Sequence, residues 1–92
     1  MGFLSARKIL VTGLLSSRSI AYGIAKAARR EGAELAFTYV GDRFKDRVTD
    51  LAREFGSDIV LPCDVASDEQ ITGLFDALGR RWDGLDGLVH AI

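Results

Sequence analysis

The sequence predicts an α/β fold: a doubly wound parallel sheet with its strands in the order 3-2-1-4. Short apolar runs alternate with segments whose apolar residues recur every three or four positions, in the pattern β-α-β-α-β-α-β. The connections between these segments are only a few residues long. Each helix should therefore cross the sheet and return the chain in the same direction.

The loop between the first strand and the first helix is the most informative stretch. An apolar run at residues 9–11 predicts a strand covered on both faces, and Gly13 bounds it. A helix should begin at about Ile20 with Ser19 as its N-cap, and its free N–H groups favour an anion in the loop. The spacing is Gly-x5-Ser-x3-Gly and lacks the G-x-G-x-x-G fingerprint of dinucleotide-binding loops. An ordinary turn and a pyrophosphate-binding loop are therefore two alternative interpretations of this segment.

Three further strands complete the predicted sheet. They are expected at residues 33–40, 57–63 and 85–92, each rich in apolar side chains. A second helix should begin with Asp42 as its N-cap and run to about Phe55.

The helices are predicted from their apolar faces. In the first helix the apolar positions are Ile20, Tyr22, Ile24, Ala27 and Ala28. The third helix should follow Ser67 as its N-cap, with Trp82 packed beneath its end. Its apolar positions are Ile71, Leu74, Phe75 and Leu78.

Parallel strands bring their carboxyl ends to one edge of the sheet. Gly13, Val40, Asp64 and Ile92 all fall at the predicted carboxyl ends. In such sheets ligands bind beyond that edge where the strand order reverses, here between the first and fourth strands. This convergence favours the pyrophosphate interpretation of the loop after Gly13.

Composition argues against several classes of function. The 12 basic and 13 acidic residues give a net charge of −1, which does not suit a nucleic-acid interface. Cys63 is the single cysteine, so no internal disulfide is expected. No apolar run approaches the roughly 18 residues of a membrane span, and residues 1–4 are too short for a signal segment. We expect a cytoplasmic protein without a metal site.

The apolar content is high for so short a chain. Hydrophobic residues make up 48% of the 92 residues, whereas a domain of this size buries only about 60% of its unfolded surface. A fourth strand without a covering helix would expose more apolar surface. We therefore expect these residues to lack some of their packing neighbours, as an incomplete domain would.

Five motifs in order carry a resemblance that runs the full chain. They read ILVTG, S-x-S-IAYGIA, REGAELAFTY, CDV and DGLVHAI. Together they resemble the amino-terminal third of bacterial enoyl-[acyl-carrier-protein] reductases, a divergent family within the short-chain dehydrogenase/reductase superfamily. The resemblance implies that residues 1–92 are the amino-terminal part of a single dinucleotide-binding Rossmann domain, incomplete at its carboxyl end. It also implies a homotetramer and an enzyme of fatty-acid elongation. That enzyme reduces the trans-2 double bond of an acyl chain on acyl carrier protein with NADH or NADPH.

The resemblance also implies roles for particular residues. Asp64 would accept a hydrogen bond from the adenine amino group, although an aspartate here could equally cap a turn before the third helix. Val40 would stand beside the adenosine, at a position where many members of the family have glutamine. The full set of implied cofactor-binding residues is Gly13, Ser19, Ile20, Val40, Asp64, Val65 and Ile92.

No catalytic residue is expected within these residues. The family's Tyr-x6-Lys motif would lie downstream, and neither Tyr22 nor Tyr39 stands in that pattern. His90 is interpreted as a structural residue of a buried strand. Two alternatives stay open: a free-standing nucleotide-binding module or truncated fragment without catalysis, and a Rossmann enzyme that interconverts carbonyls and alcohols.

The segment after the second strand bears on cofactor choice. Acidic side chains there favour NADH, and basic ones favour NADPH. Asp42 is expected to be engaged as a helix cap, and Arg43 has no basic neighbour on its own helical face. NADH is therefore the expected cofactor, with NADPH as the alternative.

Overall fold

The computed structural model describes residues 7–12, 20–64 and 66–90. The elements in chain order are β1 (Lys8–Thr12), α1 (Ile20–Arg30), β2 (Glu34–Tyr39), α2 (Lys45–Glu54), β3 (Val60–Pro62), α3 (Asp68–Gly79) and β4 (Gly87–His90). The four strands form one sheet in the order β3-β2-β1-β4. Every neighbouring pair is parallel. The predicted strand order is confirmed.

Helices cover both faces of the sheet. α1 and α2 pack on one face, where the side chains of Val11 and Phe37 are fully buried. α3 packs on the opposite face, where Leu10 is buried against Leu74 and Leu78. Neighbouring residues of a strand point to opposite faces, so the short β1 supplies side chains to both cores. The doubly wound architecture is therefore also confirmed.

Alanines allow α1 to lie close to the sheet. Its buried stripe consists of Ala21, Ala25 and Ala28, while Ile24 is 41% exposed. The prediction that Ile24 belongs to the buried face is wrong, because the smaller alanines permit closer backbone packing against β1 and β2. The hydroxyl of Tyr22 donates a hydrogen bond of 2.8 Å to Glu54 Oε2, which ties α1 to the end of α2.

α2 begins later than predicted, and Asp42 does not cap it. Gly41 has a φ of +81°, which favours glycine. A single 3-10 turn then covers Asp42–Phe44, and α2 starts at Lys45 without a side-chain cap. The extra turn moves Asp42 away from the first free N–H groups of α2, which is why its carboxylate does not serve as the cap.

The third and fourth strands are shorter than predicted. β3 spans Val60–Pro62 because the preceding Ser57 turns its hydroxyl back to the carbonyl oxygen of Leu35, 2.6 Å away. β4 begins at Gly87, after an exposed Leu85. Leu88 in β4 is 55% exposed, as expected for a strand at the edge of the described sheet.

α3 matches its prediction at both ends but not along its whole face. The hydroxyl of Ser67 accepts the N–H of Gln70, which confirms the N-cap. Trp82 is buried against the end of the helix with Leu78, also as predicted. Phe75, however, is 47% exposed, because the described residues place nothing over that side of α3.

None of the helices among the described residues has the length and apolar character needed to cross a membrane.

Candidate functional site

The strand order reverses between β1 and β4 at the carboxyl edge of the sheet. The two strands pair from Ile9 with Gly87 to Thr12 with His90, so their carboxyl ends lie side by side. The hydroxyl of Thr12 donates a hydrogen bond of 2.9 Å to the carbonyl oxygen of Val89. This bond adds a side-chain link between the two paired strands at the point where ligands bind in doubly wound sheets.

α1 starts at this same edge. Its first residue is Ile20, and its basic last turn lies at the opposite edge, where Arg29 Nη1 donates to the carbonyl oxygen of Ala33. The first turn of a helix carries free N–H groups and the positive end of the dipole. The N-terminus of α1 therefore lies at the carboxyl edge of the sheet, where it can bind an anion.

Asp64 lies beyond the carboxyl end of β3 and is half-buried. Its Oδ1 accepts the N–H of Ala66 at 2.9 Å, and its carbonyl oxygen accepts the N–H of Ser67. The turn-capping role considered for Asp64 is therefore real. Turn capping uses only Oδ1 of the carboxylate. Oδ2 has no hydrogen-bond partner among the described residues, so it can accept a hydrogen bond from a ligand.

Two residues that shape this edge are not among the predicted site residues. Thr12 ends an apolar run, and a hydroxyl at the end of a buried strand is a signal that could identify it. Gln70 supplies Oε1 to the N–H of Asp64 at 2.8 Å. A glutamine three residues after Ser67 is typical of a helix N-terminus, and this pattern does not by itself indicate a bond to Asp64.

The segment after β2 is exposed at the same edge. Val40 is 44% exposed, so its apolar side chain can contact a planar ligand. The guanidinium of Arg43 lies over the ring of Phe44, 4.6 Å from its centroid. Asp42 is exposed, and its carboxylate makes no helix cap.

Cys63 lies next to Asp64 but is unsuited to nucleophilic chemistry. The thiol is buried, and burial raises its pKa, to which the neighbouring Asp64 carboxylate adds. Both effects keep the sulfur protonated near neutral pH. The remaining predicted site residues, Gly13, Ser19, Val65 and Ile92, lie outside the described residues, as does the side chain of Ile20.

A parallel sheet with this reversal and a helix starting at its carboxyl edge defines the Rossmann class of nucleotide-binding proteins. Comparison with known proteins narrows the class. The family model described as "Enoyl-(Acyl carrier protein) reductase" matches residues 13–92. The chain belongs to the enoyl-[acyl-carrier-protein] reductase family.

Individual relatives are similar over the entire chain. The chain is 62% identical over 92 residues to enoyl-[acyl-carrier-protein] reductase [NADH] FabI of Neisseria meningitidis, and the match covers 100% of this chain and 35% of that protein. The chain therefore spans about a third of that relative's length.

Two solved structures extend the similarity to the fold. The reductase of Anaplasma phagocytophilum in complex with NAD matches with a TM-score of 0.91 and 40% identity, over 98% of this chain and 35% of that one. The reductase of Bacillus cereus with NADP⁺ and indole naphthyridinone matches with a TM-score of 0.92 and 37% identity, over 98% and 36% of the two chains.

Proposed function

We propose that residues 1–92 are the cofactor-binding, amino-terminal part of a single Rossmann domain in an NADH-dependent enoyl-[acyl-carrier-protein] reductase. The complete protein would reduce the trans-2 double bond of an acyl chain held on acyl carrier protein. The observation that carries the proposal is the reversal between β1 and β4 at the edge where α1 begins. Membership of the reductase family supports the particular chemistry.

The cofactor would lie along the carboxyl edge of the sheet. Its pyrophosphate would meet the start of α1, where Gly13 permits close backbone approach and Ser19 and Ile20 offer polar groups. Asp64 would accept from the adenine amino group through Oδ2, and Val65 would offer its N–H to the ring. Ile92 would lie near the ribose and nicotinamide.

The described residues fit such a group. The carboxylate of Asp64 keeps one oxygen without a partner among them while the other holds the turn. Val40 presents an exposed apolar side chain after β2, which suits one face of an adenosine. When bound, the reduced nicotinamide supplies the hydride. The residues of this chain bind and orient the dinucleotide.

The segment after β2 supports NADH over NADPH. Asp42 is exposed and does not cap α2, so its carboxylate is available to a ribose hydroxyl and would repel a 2′-phosphate. Arg43 is the basic residue nearest the end of β2, and its guanidinium lies over the ring of Phe44. A single stacked guanidinium is a weak phosphate clamp.

The catalytic Tyr-x6-Lys motif is assigned to residues outside these 92, since neither Tyr22 nor Tyr39 fits the motif. Acyl carrier protein carrying the enoyl group is the proposed partner, the complete protein is proposed to be a homotetramer, and its proposed location is the cytoplasm. The description of the family supports the carrier-protein partner.

The proposal is tested by assaying the full-length protein with NADH and a crotonyl thioester. We expect NADH oxidation that depends on the thioester, and none from residues 1–92 alone. NADH binding without oxidation in the full-length protein would favour a nucleotide-binding module instead. Oxidation with ketones but not with the thioester would favour carbonyl chemistry. Turnover by residues 1–92 alone would overturn the assignment of catalysis to other residues.

A further inference from the structure

The backbone of Asp64 is held by a side chain from the next helix. The last ladder bond of β3 runs from the N–H of Cys63 to the carbonyl oxygen of Tyr39, at 2.9 Å. The following N–H, that of Asp64, lies beyond the sheet and has no strand partner. Gln70 Oε1 accepts it at 2.8 Å.

Gln70 is itself fixed by the start of α3. Its N–H donates to the hydroxyl of Ser67, and the N–H of Ser67 donates to the carbonyl oxygen of Asp64. Three hydrogen bonds thus close a ring from Asp64 through Gln70 and Ser67 back to Asp64. A fourth bond, from Ala66 N–H to Asp64 Oδ1, orients the carboxylate within that ring.

We propose that Gln70 is a positioning residue for adenine recognition, acting through the backbone of Asp64. The inference rests on the proposed function, in which Asp64 Oδ2 accepts from the adenine amino group. Oδ1 is committed to Ala66, so the direction in which Oδ2 points depends on where the Asp64 backbone is held. Gln70 fixes that backbone from α3, while the sheet fixes it only as far as Cys63.

A purely structural role for Gln70 makes a different prediction. If Gln70 only stabilised the first turn of α3, its loss would lower stability and weaken all cofactors alike. If it positions Asp64, its loss should weaken selectively those cofactors that carry the adenine amino group. The ratio of two dissociation constants separates the two roles because a general weakening cancels from the ratio.

The test measures binding of two reduced cofactors to the full-length protein. One is NADH, and the other is its hypoxanthine analogue, in which an oxygen replaces the adenine amino group. The variants are Gln70→Met, which keeps the length of the side chain without its acceptor, and Gln70→Glu, which keeps an acceptor oxygen. The control is Thr72→Ala, which changes an exposed residue of the same helix. Asp64→Asn is the reference for loss of the contact with the adenine amino group.

We expect the wild-type protein to prefer NADH over the analogue and Asp64→Asn to show the weakest preference of the set. Some preference should persist in Asp64→Asn, because the N–H that Val65 would offer meets an acceptor nitrogen in adenine and an N–H in hypoxanthine. Gln70→Met should reduce the preference about three- to tenfold, the range of one lost hydrogen bond, with kcat for the enoyl thioester within about twofold of wild type. Gln70→Glu and Thr72→Ala should keep the preference.

The possible failures are distinguishable. A wild-type preference that survives in Gln70→Met, or that is lost equally in Gln70→Glu, overturns the positioning role and leaves the proposed function standing. A wild-type protein with no preference overturns the adenine contact of Asp64 and the role of Gln70 together. Failure of the wild-type protein to bind NADH at all overturns the proposed function itself.

Discussion

The two edges of the sheet use their polar groups in opposite ways. At the amino edge the polar groups satisfy one another: the Asp86 carboxylate accepts the N–H of Lys8 at 2.9 Å and lies 3.5 Å from the guanidinium of Arg7. Ser57 there bonds the carbonyl oxygen of Leu35. At the carboxyl edge, Asp64 keeps Oδ2 without a partner among the described residues, and α1 presents its first turn.

The size of a cavity does not identify the functional edge. A cleft of about 480 Å³ lies at the amino edge, with Lys8, Arg29 and Arg81 among the residues that line it. The described helices α1, α2 and α3 end at that edge, and Arg29 in the last turn of α1 offsets the negative end of that helix dipole. Arg81 also pairs with Asp58 at 2.8 Å. Arg81 and Asp58 at the amino edge are thus already paired, whereas Asp64 Oδ2 at the carboxyl edge, without a partner among the described residues, is available for recognition.

The largest expected effect is on stability at the amino edge. In the full-length protein, Ser57→Ala should lower the free energy of unfolding by about 2 kcal/mol, because it leaves the buried carbonyl of Leu35 and the N–H of Ile59 without the hydroxyl. The dissociation constant of NADH should not change. Chemical denaturation and a cofactor titration measure the two quantities.

Thr49 provides a matched control for this change. Its hydroxyl also donates to a backbone carbonyl, that of Lys45 at 2.7 Å, but the site is exposed to water. Thr49→Ala should therefore cost no more than about 0.5 kcal/mol. Equal losses of unfolding free energy in Ser57→Ala and Thr49→Ala would show that burial does not determine how much the Ser57 hydrogen bonds stabilise the fold. A large change in NADH affinity in Ser57→Ala would break the distinction between the edges.

The next largest effect is on binding at the carboxyl edge. Asp64→Asn should raise the dissociation constant of NADH about tenfold, since a charged acceptor is lost from the adenine contact. Stability should change by less than about 0.5 kcal/mol, because asparagine keeps Oδ1 as the acceptor for Ala66. A stability loss without a binding loss would assign Asp64 to the turn alone.

The sequence predicted the topology well, because alternating periodicity and short connections leave few possible arrangements of strands. It failed at positions that depend on what lies opposite in space. The periodicity of α3 assigned Phe75 to the core, but the described residues place nothing over it. Asp42 had the right residue type for a cap, and the turn after Gly41 moved the helix start past it.

The candidate site was predictable only in part for the same reason. The carboxyl ends of the strands follow from the topology, so Asp64 and Val40 could be placed at one edge from the sequence alone. The bond from Gln70 Oε1 to the N–H of Asp64 depends on a turn geometry that spacing does not specify. The bond from Thr12 to the carbonyl oxygen of Val89 depends on the register between β1 and β4, which the predicted strand order does not specify.

A smaller effect is expected from the exposed ion pair at the amino edge. Asp86→Asn keeps an acceptor for the N–H of Lys8 and removes the charge opposite Arg7. Both side chains are largely exposed, so the loss of stability should be about 0.5 kcal/mol and should shrink further in high salt. A loss above about 2 kcal/mol, or one that salt does not diminish, would mean that this pair is not screened by water.

The smallest expected effect concerns cofactor choice. Arg43→Ala should leave kcat/KM for NADH within about twofold of wild type, because the guanidinium lies over Phe44 and is not assigned to the ribose. Asp42→Ala should narrow the preference for NADH over NADPH. If the wild-type protein prefers NADPH and Arg43→Ala removes that preference, Arg43 and not Asp42 reads the ribose.

A crystal structure of the full-length protein with NADH would show directly which edge of the sheet binds the cofactor. We expect the pyrophosphate at the start of α1 and the adenine amino group within hydrogen-bond distance of Asp64 Oδ2. The cleft at the amino edge, among Lys8, Arg29 and Arg81, should hold no cofactor. NADH seated in that cleft, with the carboxyl edge empty, would contradict the assignment of recognition to the carboxyl edge.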